Sequence, residues 1–216
     1  MNSNKPLITF NNNFIFWDFD GVIKDSVEIK GKIFESIFQE FGFKISNKIK
    51  LHHEQNGGMS RYHKIPVYLE FSSLPSTKEN IEYYLSKFSE LTKKEVINSN
   101  WVKGAYEYLD QNYKEKSFFL ITATPKKEIE EITKELKIFH FFKEIFGSPV
   151  EKSNAIEKII LDYNIASKDA ILIGDSKNDF DAAMNTNLSF VLRKTKLNID
   201  LQSNISCKQI TNFYDE

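Results

Sequence analysis

The sequence predicts an α/β fold, a Rossmann-like parallel sheet interrupted early by a helical insertion. Three observations lead there. Short apolar runs recur far apart, at 14–17, 118–121, 170–173 and 189–192, and each ends at polar or turn residues, as strands buried on both faces do. Between the later runs the apolar period lengthens to that of a helix. One hundred residues, 18–117, separate the first run from the second, far more than a simple crossover needs.

The elements follow in order. Phe14–Trp17 is the first strand. After it, Ile29, Ile33, Phe34, Ile37, Phe38 and Phe41 form one stripe over 27–41, and Ile81, Tyr84, Leu85 and Phe88 repeat the pattern over 78–91, so the aromatics are core residues of a small helical domain. Gly57-Gly58 with Ser60 marks a loop between helices, and Leu74-Pro75-Ser76-Thr77 a turn leading into an N-cap. The second strand, at 118–121, is followed after Pro125 by Ile129, Ile132, Leu136 and Phe139 at helical spacing. Ile156, Ile159 and Ile160 follow Ser153-Asn154 likewise, before the strands at 170–173 and 189–192. Strand–helix alternation predicts right-handed crossovers, with ligands bound beyond the carboxyl ends of the strands. The expected core is 1–25 and 115–216 and the helical cap 26–114, with hinges at 24–27 and 113–117.

Composition narrows the function. With 29 basic against 30 acidic side chains, no whole-molecule field draws the chain to nucleic acid or an anionic membrane. The lone Cys207 forms no intramolecular disulfide and fits a reducing compartment. Residues 1–13 lack the pattern of a signal or transit peptide, and no apolar run approaches the ~18 residues of a membrane span. A cytoplasmic location is expected.

The chemistry should lie at the strand ends. The first strand runs into Asp18-Phe19-Asp20-Gly21-Val22, and strand alternation would point both carboxylates to one side. Such charges repel, so a cation is expected beside them. Ile173-Gly174-Asp175-Ser176-Lys177-Asn178-Asp179 supplies further carboxylates at another strand end. An oxygen-only cluster suits Mg²⁺, whose octahedron water and substrate phosphate complete. Thr122 ends the second strand ahead of a helix N-terminus that favours anions, and Lys152 stands just before another helix.

In this order, Asp-x-Asp-Gly-Val, then Thr, then Lys, then Gly-Asp-x-x-x-Asp, the set resembles the haloacid dehalogenase superfamily from Phe14 to about Leu192. The position of the insertion is similar to that of subclass I, with a helical (C1) cap, near the phosphoglycolate phosphatases and β-phosphoglucomutases. The resemblance implies Asp18 as a nucleophile forming an aspartyl-phosphate and Asp20 as general acid and base. It implies Mg²⁺ held by Asp18, Asp175 and the Asp20 backbone carbonyl, with Asp179 bracing the site or ligating through water. Thr122 and Lys152 would stabilise the transferring phosphoryl group, and backbone around Ala123 would complete its cradle. A second Asp, at position 20, points to phosphate-ester chemistry rather than dehalogenation.

Arg61 is one of only two arginines in the chain, and its Gly58-Met59-Ser60-Arg61 setting resembles the cap loop of β-phosphoglucomutase-like proteins, where an arginine grips a second anionic group. Lys30 and Lys24 are further cleft candidates, whereas His52, His53 and His63 lack the company a zinc site needs. The expected activity is Mg²⁺-dependent hydrolysis of a small phosphorylated metabolite, a sugar phosphate among the candidates. The alternatives are a phosphomutase, motivated by Arg61, and a non-catalytic binding protein that keeps the fold.

Overall fold

The computed structural model describes residues 6–214, so the extreme ends of the expected core, 1–5 and 215–216, lie outside the described residues. Six parallel strands form one sheet in the order β3-β2-β1-β4-β5-β6. They are β1 (Phe14–Trp17), β2 (Ser117–Pro125), β3 (Phe142–Ser148), β4 (Ala170–Gly174), β5 (Ser189–Arg193) and β6 (Lys208–Ile210). The expected α/β fold is what forms. All four apolar runs are strands, because a strand covered on both faces must be apolar at successive positions.

Alternate side chains feed two cores. Ile15, Trp17, Phe118, Leu120, Ile171 and Ile173 face one side, packing with Ile129 and Ile132 of α6 (Lys126–Glu135) and with Tyr108 and Leu109 of α5 (Ala105–Asn112). Phe16, Phe119, Ile121 and Leu172 face the other, against Ile156 and Ile159 of α7 (Lys152–Asp162) and Ala182 and Ala183 of α8 (Lys177–Asn185). The chain closes with α9 (Ile199–Asn204) leading into β6. Strands β3 and β6 were not foreseen. As edge strands, β3 exposes Lys143 and β6 is three residues long, so neither offers a continuous apolar run.

The insertion is helical: α1 (Val27–Ile37), α2 (Phe43–Gln55), α3 (Arg61–Phe71) and α4 (Lys78–Asn98). A third core joins them, with Phe34 stacked on Phe88 at 3.7 Å and Phe38 on Tyr84 at 4.6 Å between ring centroids. Thr77 caps α4 as expected, accepting from Asn80 N. The stripe over 27–41 breaks after Ile37 into a short 3-10 turn at Gln39–Phe41. The return crossing also differs from expectation, since α5 packs on the sheet with Trp17 and Phe118. The two crossings therefore run side by side at 23–26 and 99–102, joined by Asp25 N to Asn100 O (2.9 Å) and Val102 N to Ile23 O (3.0 Å). Residues 113–117 lie within the core layer.

Candidate active site

Strand register assembles the site. Trp17 pairs with Leu120 on one side and Ile173 on the other, so the residues just beyond, Asp18, Thr122 and Asp175, meet at one sheet edge. The strand ends at Trp17, however, and the alternation expected to align Asp18 with Asp20 stops there.

The two carboxylates consequently have different surroundings. Asp18 is buried, with Lys152 Nζ 3.0 Å from its Oδ1. Lys152 is the first residue of α7 rather than a residue before it, and also meets Asp179 Oδ1 at 2.5 Å. Asp179 receives Ser176 N (3.1 Å) and Ser176 Oγ (2.5 Å) on its other oxygen, the capping box of α8. Asp20 instead takes Ser26 Oγ and Lys30 Nζ at 2.5 Å each, and Thr124 Oγ1 at 3.2 Å. Lys30 also donates to Thr124 Oγ1 at 3.0 Å.

Asp18, Asp175 and Asp179 can each bring one oxygen within 4.8 Å of the others; the Asp20 carboxylate is outside this cluster. Burial first, then the charge of Asp179, raises the Asp18 pKa to about 7, while Lys152 acts the other way. Asp175 is held well above the usual range, by burial and then by Asp18 and Asp179. More negative charge is gathered here than one lysine neutralises, the condition a divalent cation relieves. Burial also opposes ionisation of Asp20, but Lys30, Ser26 and Thr124 outweigh it and hold that group below its ordinary value.

Two glycines make room for the acidic cluster. Gly21 has φ +79°, and a Cβ there would fall on the Asp175 carboxylate; one on Gly174 would fall on Asp179.

Thr122 is buried, its Oγ1 accepting from Thr124 N at 3.2 Å, and with Ala123 it lines both cavities over the site. One cavity is an open cleft of about 960 Å³ between the cap loop and the loops after β3, β4 and β5. The other is a smaller chamber of about 60 Å³ between cap and core, lined by Asp18, Asp20, Lys30, His53 and Lys64 among others.

Arg61 also borders this chamber, but its guanidinium is engaged within the protein. It makes a bidentate pair with Glu128 at 2.6 and 2.7 Å, donates to Ser89 at 2.6 Å and lies over the Phe88 ring. The expected grip on a second substrate anion is therefore not its arrangement here, because α6 brings Glu128, distant in sequence, against the cap. Lys24 is buried in the crossing, donating to Ile97 O and lying over Trp101. His52 meets the Tyr68 hydroxyl at 3.4 Å and His63 meets Glu151 at 3.4 Å. Sequence reasoning missed the roles of Ser26, Thr124, Ser176 and Glu128; Ser176 fills a variable position of the Gly174–Asp179 motif and Thr124 follows closely on Thr122, whereas nothing local marks Ser26 or Glu128.

Residues 15–192 match the haloacid dehalogenase-like hydrolase family. The chain belongs to that family and is a hydrolase of it. Among solved structures it is similar to a haloacid dehalogenase-like hydrolase from Streptococcus pneumoniae, at 20% identity and TM-score 0.67, covering 92% of this chain and 94% of the other. It is also similar to a predicted phosphoglycolate phosphatase from Haemophilus somnus, at 16% and 0.70, covering 95% and 96%. A HAD-hydrolase from Bacillus subtilis bound to magnesium, described as revealing interdomain movement, matches at 14% and 0.68, covering 94% and 96%. No curated protein matches the chain significantly. Among the described residues no helix is long and apolar enough to cross a membrane.

Proposed function

We propose that the protein is a Mg²⁺-dependent phosphatase of a small phosphorylated metabolite, with Asp18 as nucleophile. The observation that carries this reading is the division of labour between two neighbouring aspartates, Asp18 in the acidic cluster with Lys152 and Asp20 held apart by Lys30. Asp18, Asp175 and, through its backbone carbonyl, Asp20 would hold the ion, with Asp179 as brace, since both its oxygens already accept from the protein. When bound, Mg²⁺ neutralises the cluster and the phosphoryl oxygens.

An Asp18 oxygen attacks phosphorus in line, forming an acyl phosphate as the bond to the leaving oxygen breaks. Lys152 and the Thr122 hydroxyl stabilise charge on the equatorial oxygens, with backbone at Ala123 completing the cradle. Asp20 delivers a proton to the departing alkoxide, which the Lys30 ammonium can supply across their 2.5 Å contact. Asp20 then accepts a proton from the water that attacks the acyl phosphate and returns it to Lys30 across the same contact, releasing phosphate and restoring Asp18, Asp20 and Lys30. The mutase alternative loses its motivation, because Glu128 already holds Arg61.

Phosphate release measured over phosphorylated sugars, glycolate and nucleotides tests the reading. Turnover should require Mg²⁺, disappear with chelator, and fall at least ~10³-fold in Asp18→Asn. No release from any ester, or an Asp18→Asn protein with undiminished turnover, refutes it.

A further inference from the structure

The smaller chamber is lined by three cationic side chains of the cap, Lys30, Arg61 and Lys64. Lys30 is paired with Asp20, and Lys64 is turned to His53, 3.1 Å from its Nδ1. Arg61 is satisfied by a carboxylate that takes no part in the chemistry proposed above, Glu128 of the core.

Helix placement favours this pair. Arg61 is the first residue of α3, where the positive end of the helix dipole opposes its charge, and Glu128 lies in the first turn of α6, where the same end favours a carboxylate. The contact is bidentate, Ser89 takes a further guanidinium N–H, and the Phe88 ring covers one face. The two side chains are 4% and 10% exposed, so drawing Arg61 away would strand the Glu128 carboxylate in low-dielectric surroundings, which is strongly unfavourable. An anion entering the chamber therefore meets an arginine already neutralised, and could engage it fully only by displacing a buried carboxylate.

We propose that Glu128 is a specificity-determining residue: it gives Arg61 the counter-anion that a second phosphoryl group of a substrate would otherwise supply, so the enzyme takes monophosphates and discriminates against bisphosphates. A guanidinium fork fits carboxylate and phosphate oxygens alike, so the internal carboxylate and a substrate phosphoryl group compete for one set of donors. Because the pair joins cap helix α3 to core helix α6, the cap is also held on the core without help from the leaving group. The proposal rests on the phosphatase reading of Asp18.

The test compares kcat/KM, with Mg²⁺ present, for phosphate release from ethyl phosphate and from ethylene glycol bisphosphate. The wild-type protein should favour ethyl phosphate. In Glu128→Gln the bisphosphate-to-monophosphate ratio should rise about 10- to 100-fold, the worth of a charge-assisted hydrogen bond. Adding Arg61→Met to Glu128→Gln should abolish that rise, whereas a merely structural disturbance would lower both rates and leave the ratio where it was. Arg61→Met with Glu128→Met, which leaves neither charge buried, serves if Glu128→Gln does not fold: its ratio should not fall, while an Arg61 that grips substrate in the wild-type protein would make it fall. If no ester is hydrolysed, the phosphatase reading fails and calorimetry decides the role of Glu128, with ethylene glycol bisphosphate expected to bind Glu128→Gln more tightly than wild type. A wild-type preference for the bisphosphate, a ratio or affinity unmoved in Glu128→Gln, or a ratio lowered in Arg61→Met with Glu128→Met would each overturn the assignment.

Discussion

Asp18 and Lys64 are opposite cases of burial acting on a charge, and both titrate within reach of experiment. Burial, followed by the charge of Lys30, lowers the Lys64 pKa from 10.5 to about 7. Between those values the unfolded chain holds a proton that the folded chain lacks, so this group makes stability rise with pH over about 7 to 10.5 and adds a constant penalty below. Urea unfolding at pH 6 and pH 9 should show Lys64→Met more stable than wild type at the lower pH, by on the order of a few kcal/mol, with the gap closing at the higher. No narrowing of the gap would rule out a desolvated lysine. At Gly21, alanine meets both a left-handed backbone and the Asp175 carboxylate. Gly21→Ala should cost about 1–3 kcal/mol in urea unfolding and should weaken the activation of turnover by Mg²⁺.

At the scale of elements, α3 and α6 meet through the buried Arg61–Glu128 pair, which joins cap to core. Removing one partner strands a buried charge, so Glu128→Gln should lose about 3 kcal/mol in chemical unfolding, whereas Arg61→Met with Glu128→Met should recover much of that loss. Additive single effects would show that the pair is not coupled. Lys93 and Glu131 link α4 to the same helix, but both side chains are only half-buried and contribute little. Strands β3 and β6 and the end of α1 escaped sequence reading for different reasons. Edge strands need not be apolar on both faces, and an amphipathic stripe continues unchanged through a 3-10 turn.

In the whole molecule, two crossings paired at 23–26 and 99–102 carry the cap, and the expected second hinge at 113–117 is replaced by the packing of Tyr108 and Leu109 on the sheet. Cap motion should therefore concentrate at residues 99–102 and their partner strand. Limited proteolysis and small-angle scattering, with and without Mg²⁺ and a phosphoryl transition-state mimic, should show cleavage there slowing and the particle contracting on addition. Unchanged profiles would remove closure from the reaction cycle.

Local order made much of this protein legible in its sequence. Apolar runs marked the central strands, since doubly covered strands allow few polar residues, and Asp18, Asp20, Thr122, Lys152, Asp175 and Asp179 stood out by sitting at strand or helix ends. The partners of those residues could not be read in the same way. Glu128 reaches Arg61 across 67 residues, Thr124 reaches Asp20 across 104, and Lys64 meets a histidine without a carboxylate to balance it. Only tertiary packing decided these pairings, because a charge's energy depends on which distant side chains share its low-dielectric surroundings, and no local spacing encodes that.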